Sequence, residues 1–198
     1  MEKGLVVVIR KKQQGAFMVE LALVLVFFSS LLAIHINYTL AINKKGQLDR
    51  ANYSLLTILS ERRQLYTGEL DMCGFEGKYC DTEITKFYDI AKSSLKRMIP
   101  DFDESKLGMR VAQISIEEGE SKVTLNEQFR GRRDDCNFQN LQGITFEHAK
   151  ELLPTTTRNR RLPLYHLSLC YETPFNIIGA VRGEPIKIVT SSYSFARI

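Results

Sequence analysis

Arg10-Lys11-Lys12-Gln13-Gln14-Gly15-Ala16-Phe17-Met18-Val19-Glu20 passes from basic to apolar through a single glycine, and the apolar run then continues to Ile36. The segment Ala16–Ile36 is 21 residues long, and Glu20 is its only formal charge. At about 1.5 Å per residue a helix of that length spans roughly 30 Å, the thickness of a bilayer core. A carboxylate there is disfavoured by roughly 2–3 kcal/mol at mid-bilayer and by less near an end. Glu20 therefore asks for a compensating partner.

Ordinary export signals fit poorly. A secretory signal peptide has a short apolar core with a small-residue cleavage site on its far side. Here the run is too long, and Ser29-Ser30-Leu31 lies inside it. The natural cut precedes the run, after Gly15, leaving Ala16 as the new N-terminus. The expected partner of Glu20 is then the free α-amino group, in the same subunit or a neighbour, because opposite charges attract strongly in low dielectric. The bland alternative is a side chain that snorkels towards the headgroups.

Charge sets the topology. The whole chain carries +4, of which the leader holds +3 through Lys3, Arg10, Lys11 and Lys12 against Glu2. The basic balance thus marks a cytoplasmic N-terminus by the positive-inside rule, and not nucleic-acid binding. Lys44, Lys45 and Arg50, beyond the span, run against that pattern. The bulk of the chain then lies outside the cytoplasm. Cys73, Cys80, Cys136 and Cys170 all fall in that part, where an oxidising compartment would pair them. Four cysteines allow three connectivities, and sequence does not choose among them. The pairing adopted is Cys73–Cys80 across a short loop and Cys136–Cys170 from loop to strand. A zinc site is the competing reading, without a C-x-x-C pair to support it.

Apolar periodicity continues beyond the span at Leu48, Ala51, Leu55, Ile58, Leu59 and Leu65. One helix is expected from Ala16 to about Tyr66, roughly 75 Å long, with Gly46 its weak point and Gly68 its stop. The alternative is a plain anchor hinged at Gly46 to a separate helix. Asp81 or Thr82 caps a second helix to about Met98, with Ile84, Phe87, Tyr88, Ala91 and Leu95 on one face, ended by Pro100. Residues 109–117 and 121–129 read as a hairpin around Glu118-Gly119, with Ala112, Ile114 and Ile116 alternating on one strand and Val123, Leu125 and Phe129 on the other. Thr145 caps a short helix, Phe146–Leu153. Pro163–Tyr171 and Ile186–Ala196 are strands, with Tyr165, Leu167, Leu169 and Tyr171 on one face of the first and Val189, Tyr193 and Phe195 on one side of the second. The expected fold class is α+β: leader 1–15, transmembrane segment 16–36, helical continuation 37–66, and a head, 67–198, with an antiparallel sheet of about four strands.

The junction resembles the class III signal of type IV pilins and pseudopilins. In that family a membrane aspartyl peptidase cuts between Gly and the first residue of the apolar helix. The matching residues are Arg10-Lys11-Lys12, Gly15 and Glu20. Ala16 stands where Phe is commonest and Leu21 where Flp-type major pilins usually carry Tyr; with the chain length, this is more similar to the TadE/TadF minor pseudopilins of tight adherence (Tad) pili, and to TadF most. The resemblance covers about the first 65 residues. It implies processing at Gly15/Ala16, an assembly role for Glu20, and a non-enzyme that is itself an enzyme's substrate, helping to initiate assembly. Implied partners are prepilin peptidase, a sister TadE-type pseudopilin, the major Flp-type pilin and the inner-membrane platform, with the head periplasmic. The alternatives are an uncleaved single-span envelope protein with a ligand-binding or sensing head, or a type II secretion minor pseudopilin.

Nothing else carries chemistry. His35, His148 and His166 lie near no nucleophile motif and read as structural. Asp134-Asp135 and Glu117-Glu118-Glu120 lack EF-hand spacing and read as solvated turns. Arg130, Arg132 and Arg133 and the trio Arg158, Arg160 and Arg161 read as solvated loops, or as one anion- or partner-binding surface if the loops meet. No cofactor or metal is expected.

Overall fold

The computed structural model describes residues 6–61, 70–73, 80–116, 122–133, 136–173 and 187–197, with side chains from residue 16 onward. The chain divides into two compact units, Met1–Ala41 and Ile42–Ile198. Helix α1, Val6–Ser60, forms the described part of the first and continues into the second. It starts upstream of the expected Ala16, since Arg, Lys and Gln in the leader are good helix formers. It passes through Gly46 without a break, so the hinge is not seen. Glu61 is a turn; the expected continuation to Tyr66 and the stop at Gly68 lie outside the described residues.

In the second unit, α2 (Cys80–Met98) is followed by a 3₁₀ turn, Glu104–Lys106, then β1 (Leu107–Ile116), β2 (Val123–Gly131), α3 (Phe146–Leu152), β3 (Leu164–Glu172) and β4 (Lys187–Phe195). The strands form one antiparallel sheet in the order β2-β1-β3-β4. The fold is α+β, a long apolar helix followed by a four-stranded antiparallel sheet with short helices.

Each element has a local cause. Asp81 and Glu83 in the first turn of α2, with Lys96 and Arg97 in the last, complement the helix dipole. The helix starts at Cys80, one residue before the expected cap, and buries Ile84, Phe87, Ala91 and Leu95. Thr145 caps α3 as expected, accepting from the His148 amide. Arg161 holds the other end of α3, donating to the carbonyls of Lys150 and Leu153. Gly131 has φ +71°, and a Cβ there would collide with the Leu107 carbonyl and the Tyr88 hydroxyl. Glycine is therefore required at the end of β2.

The main core lies on one face of the sheet. Leu48, Ala51, Leu55, Leu56 and Leu59 of α1 and the buried stripe of α2 pack against Leu107, Met109 and Val111 of β1 and Tyr165, Leu167, Leu169 and Tyr171 of β3. The β3 face is the expected one. Ala112, Ile114 and Ile116 share one face of β1, as their alternation predicts, and it is the opposite one. Strand β1 is central and covered on both sides, buried throughout residues 107–114, so alternation could not identify the core face. Ile114 joins Leu153 and Leu164, with Val123, Leu125, Ile144 and Phe195, in a smaller cluster beneath α3.

Val189, Tyr193 and Phe195 share one side of β4, as expected, and that side is the outer one. Tyr193 is 69% exposed. The register places Thr190 beside Leu169 and Ser192 beside Leu167, so the inner face of β4 is polar. That face is matched from α1: buried Asn52 donates its side-chain amide to the Leu167 carbonyl (3.2 Å) and to Thr190 and Ser192 (both 3.4 Å). Thr190 donates to Asp49.

Candidate functional site

The junction that dominates the sequence lies on α1. Arg10, Lys11, Lys12 and Gly15 fall on its helical backbone, where it runs without interruption into Ala16. From Ala16 to Leu32 every residue is exposed. The apolar ones include Phe17, Met18, Val19, Leu23, Val24, Leu25, Val26, Phe27 and Phe28. α1 is the one helix among the described residues long and apolar enough to cross a membrane. Its hydroxyls suit such surroundings: Ser29 donates to the Val26 carbonyl (2.9 Å), Ser30 to Phe27 (2.8 Å) and Thr39 to His35 (2.9 Å). Side-chain hydroxyls bonded to their own helix are matched even in hydrocarbon. Glu20 is exposed and has no ion pair among the described residues.

The head is tied by two cysteine pairs at disulfide distance. Cys73 with Cys80 joins the start of α2 to the segment before it, and Cys136 with Cys170 joins the loop after β2 to β3. Both match the adopted pairing. The Cys73 segment is further held by the Met72 amide donating to Gln113 (2.6 Å) and the Tyr165 hydroxyl donating to the Leu70 carbonyl.

Sequence reading missed Arg110. Its guanidinium is almost fully buried on the outer face of the sheet, where it donates to the Gln139 carbonyl (2.6 Å), lies 3.6 Å from Glu127 and packs over the Phe138 ring. It clasps the loop that Cys136–Cys170 staples. Burial lowers its pKa, with Glu127 opposing. A lone arginine inside the apolar run of β1 was the available signal. His166, diagonal to Arg110 across β1 and β3, is buried, and its Nδ1 is 3.4 Å from the Ser168 hydroxyl. Burial first, then the Arg110 charge, pushes its pKa down to about 4. His148 bonds Thr145 through Nδ1 (3.0 Å), a cap contact, and His35 is exposed on α1.

The two arginine clusters do not meet. Arg130 pairs across from Met109 near the start of β1, and Arg132 donates its amide to Leu107. Arg161 bridges Thr155 just before β3, whose Leu164 faces Ile114. The clusters thus lie at opposite ends of the sheet, about 20 Å apart at 3.3 Å per residue. Arg130 and Arg132 are moreover engaged by Asp81 and by Glu172 (2.5 Å). The acidic turns at 117–120 and 134–135 lie outside the described residues.

Comparison with curated proteins and with solved structures gives no match. A family model described as "Putative tight adherence pilin protein F" matches residues 8–197, nearly the whole chain. Its span takes in the Gly15 junction, all but the first two residues of α1, both cysteine pairs and all four strands. The chain belongs to the TadF family of tight adherence pilus proteins.

Proposed function

We propose that the chain is a minor pseudopilin of a Tad pilus, inserted in the inner membrane with its N-terminus cytoplasmic and cut after Gly15 by a prepilin peptidase. The observation that carries this is the basic-Gly15-Ala16 junction with Glu20 one turn inside an exposed apolar helix, in a chain of the TadF family. The family supports a pilin-like protein of the pilus system; the cut, the orientation and the assembly role are the further reading. Released Ala16 supplies the α-amino group that pairs with Glu20, in the same subunit or the next, and so sets register as the helix enters a filament. The head, residues 67–198, stays periplasmic and meets a sister TadE-type pseudopilin, the Flp-type pilin and the platform. The chain is a substrate of catalysis and not a catalyst.

Mass spectrometry of membrane-extracted protein, with and without the peptidase, tests the reading. A peptidase-dependent start at Ala16 is expected. An intact Met1 in both samples would overturn it in favour of an uncleaved single-span envelope protein. Replacing Gly15 with a bulky residue should abolish the cut, and replacing Glu20 should leave the cut but impair piliation.

A further inference from the structure

Three basic features remain without a role: Lys44, Lys45 and Arg50 beyond the apolar segment, the Arg130–133 end of β2, and the last turn of α2. The fold brings them to one end of the Ile42–Ile198 unit. Asp49 bonds Thr190, and the register runs from Thr190 through Leu169 and Met109 to Arg130. Arg130 is therefore level with Asp49 and Arg50, and Arg133 lies further towards the end at which α1 enters. α2 descends to that end as well. Asp81 pairs with Arg130, Tyr88 reaches the carbonyl of Leu107 at the start of β1, and the helix continues to Lys96 and Arg97. The other end is marked by the Arg197 amide donating to Ser60.

The acids at the entry end are largely engaged within the head. Asp89 and Glu104 face Lys92, Asp103 faces Lys106, and Glu172 faces Arg132. Lys44, Lys45, Arg50, Lys96, Arg97 and Arg133 have no carboxylate within ion-pair distance among the described residues. Arg97 bonds its own helix and Arg133 stacks on Phe129 at 4.2 Å, so neither charge meets a carboxylate among the described residues. A basic end on an exported head runs against the charge bias that orients the span, so it calls for a separate reward.

We infer that the end of the head at which α1 enters is a docking surface for anionic lipid headgroups. This rests on residues 16–36 spanning the membrane. Lys44 follows Ile36 by eight residues, so the tether alone keeps the patch within about 30 Å of the headgroups even if fully extended. An acidic lipid surface is thus present at high effective concentration, whereas an acidic protein would have to be recruited. Docking would steady the head on the bilayer, and salt would release it.

The test is lysine footprinting of the full chain in lipid nanodiscs with acetic anhydride, an uncharged reagent. One set of discs is phosphatidylcholine alone and the other contains roughly 30 mol % phosphatidylglycerol, enough for a negative surface potential. Lys44, Lys45 and Lys96 should acetylate about threefold or more slowly in the anionic discs, with the difference abolished by about 0.5 M NaCl. Lys122, next to β2, and Lys150, on α3, lie towards the other end and should not change. Equal rates in the two discs, or slowing shared by Lys122 and Lys150, would overturn the inference. Retention of the chain in the discs after an alkaline wash reports the span itself. Its loss would overturn both readings, while retention with equal rates would overturn this one alone.

Discussion

Two buried residues show how a single position sets stability in this head. His166 sits beneath the outer face of the sheet with its pKa down at about 4, against 6.5 unperturbed, because burial and then Arg110 oppose its charged form. The unfolded chain takes up a proton as pH falls through 6.5, while the folded chain does not until about 4. His166 therefore contributes stability in full above 6.5, and that contribution is lost progressively between 6.5 and 4. The loss between pH 7 and pH 4.5 is expected to be about 2 kcal/mol. Urea midpoints of the detergent-solubilised protein should show a smaller acid loss in His166→Gln than in the parent. An identical loss in both would remove His166 from the account. Gly131 is the second case. Its positive φ and the nearby Leu107 carbonyl and Tyr88 hydroxyl leave no room for a Cβ. Gly131→Ala should lower stability by more than about 2 kcal/mol, whereas Gly143→Ala, with open space around it, should lie within about 0.5 kcal/mol of the parent. The need for glycine at 131 could not be read from a sequence of strand and loop residues, because it arises from a side chain 43 positions away and a backbone carbonyl 24 positions away that the fold brings there.

At the scale of elements, the polar seam between α1 and β4 carries a prediction and explains why the inner face of β4 is not evident in the sequence. Asn52 faces the sheet, and Tyr53, its neighbour in sequence, faces away at 66% exposure. Asn52→Ala removes the amide that the Leu167 carbonyl and the hydroxyls of Thr190 and Ser192 share, and leaves those hydroxyls with one partner fewer, at a cost of about 2 kcal/mol. Tyr53→Ala should change stability by less than about 0.5 kcal/mol. Comparable losses at the two positions in thermal unfolding would argue against the docking of this face of α1. The same seam hid β4 from pattern reading. An inner face of Ile188, Thr190 and Ser192 looks outward-facing by hydropathy, and only its partners on α1, 138 to 141 residues away in sequence, make it inner. By contrast β3 was legible, since Tyr165, Leu167, Leu169 and Tyr171 alternate with smaller or polar residues and all pack in the core. α3 was legible to within a residue because cap and apolar spacing agree, and α2 was legible in its buried stripe and its end at Met98, while its start at Cys80 places the expected caps Asp81 and Thr82 inside the helix. Arg110 was legible only as a lone charge in an apolar run; its partners Gln139, Phe138 and Glu127 are a property of the assembled sheet.

At the scale of the whole chain, an exposed apolar helix precedes a head with one main core and one smaller cluster. Membership of the tight adherence pilus family was legible from the junction around Gly15 and Glu20, since that signal needs no tertiary partner within the chain. The arrangement of the basic loops was not, because only strand register sends Arg130 and Arg161 to opposite ends. Two cysteine pairs supplement the core, and they should not be equal. Cys136–Cys170 closes a separation of 34 residues and Cys73–Cys80 one of 7. If the dominant effect is loss of chain entropy in the unfolded state, the first contributes about 4 kcal/mol and the second about 2 kcal/mol. The longer pair also has a structural dependant. It holds the loop over the outer sheet face whose other anchor is Arg110 on the Gln139 carbonyl, so its removal exposes a buried guanidinium to a loosened cover. Replacing Cys136 and Cys170 by Ser should therefore lower the urea midpoint more than replacing Cys73 and Cys80. Adding Arg110→Leu to each pair separates the two contributions. With the loop stapled, Arg110→Leu should cost more than it does once Cys136 and Cys170 are gone, because the clasp acts on a loop already held in place. Equal losses for the two serine pairs would show that loop length does not govern them, and an Arg110→Leu effect unchanged between the two backgrounds would show that clasp and staple act independently.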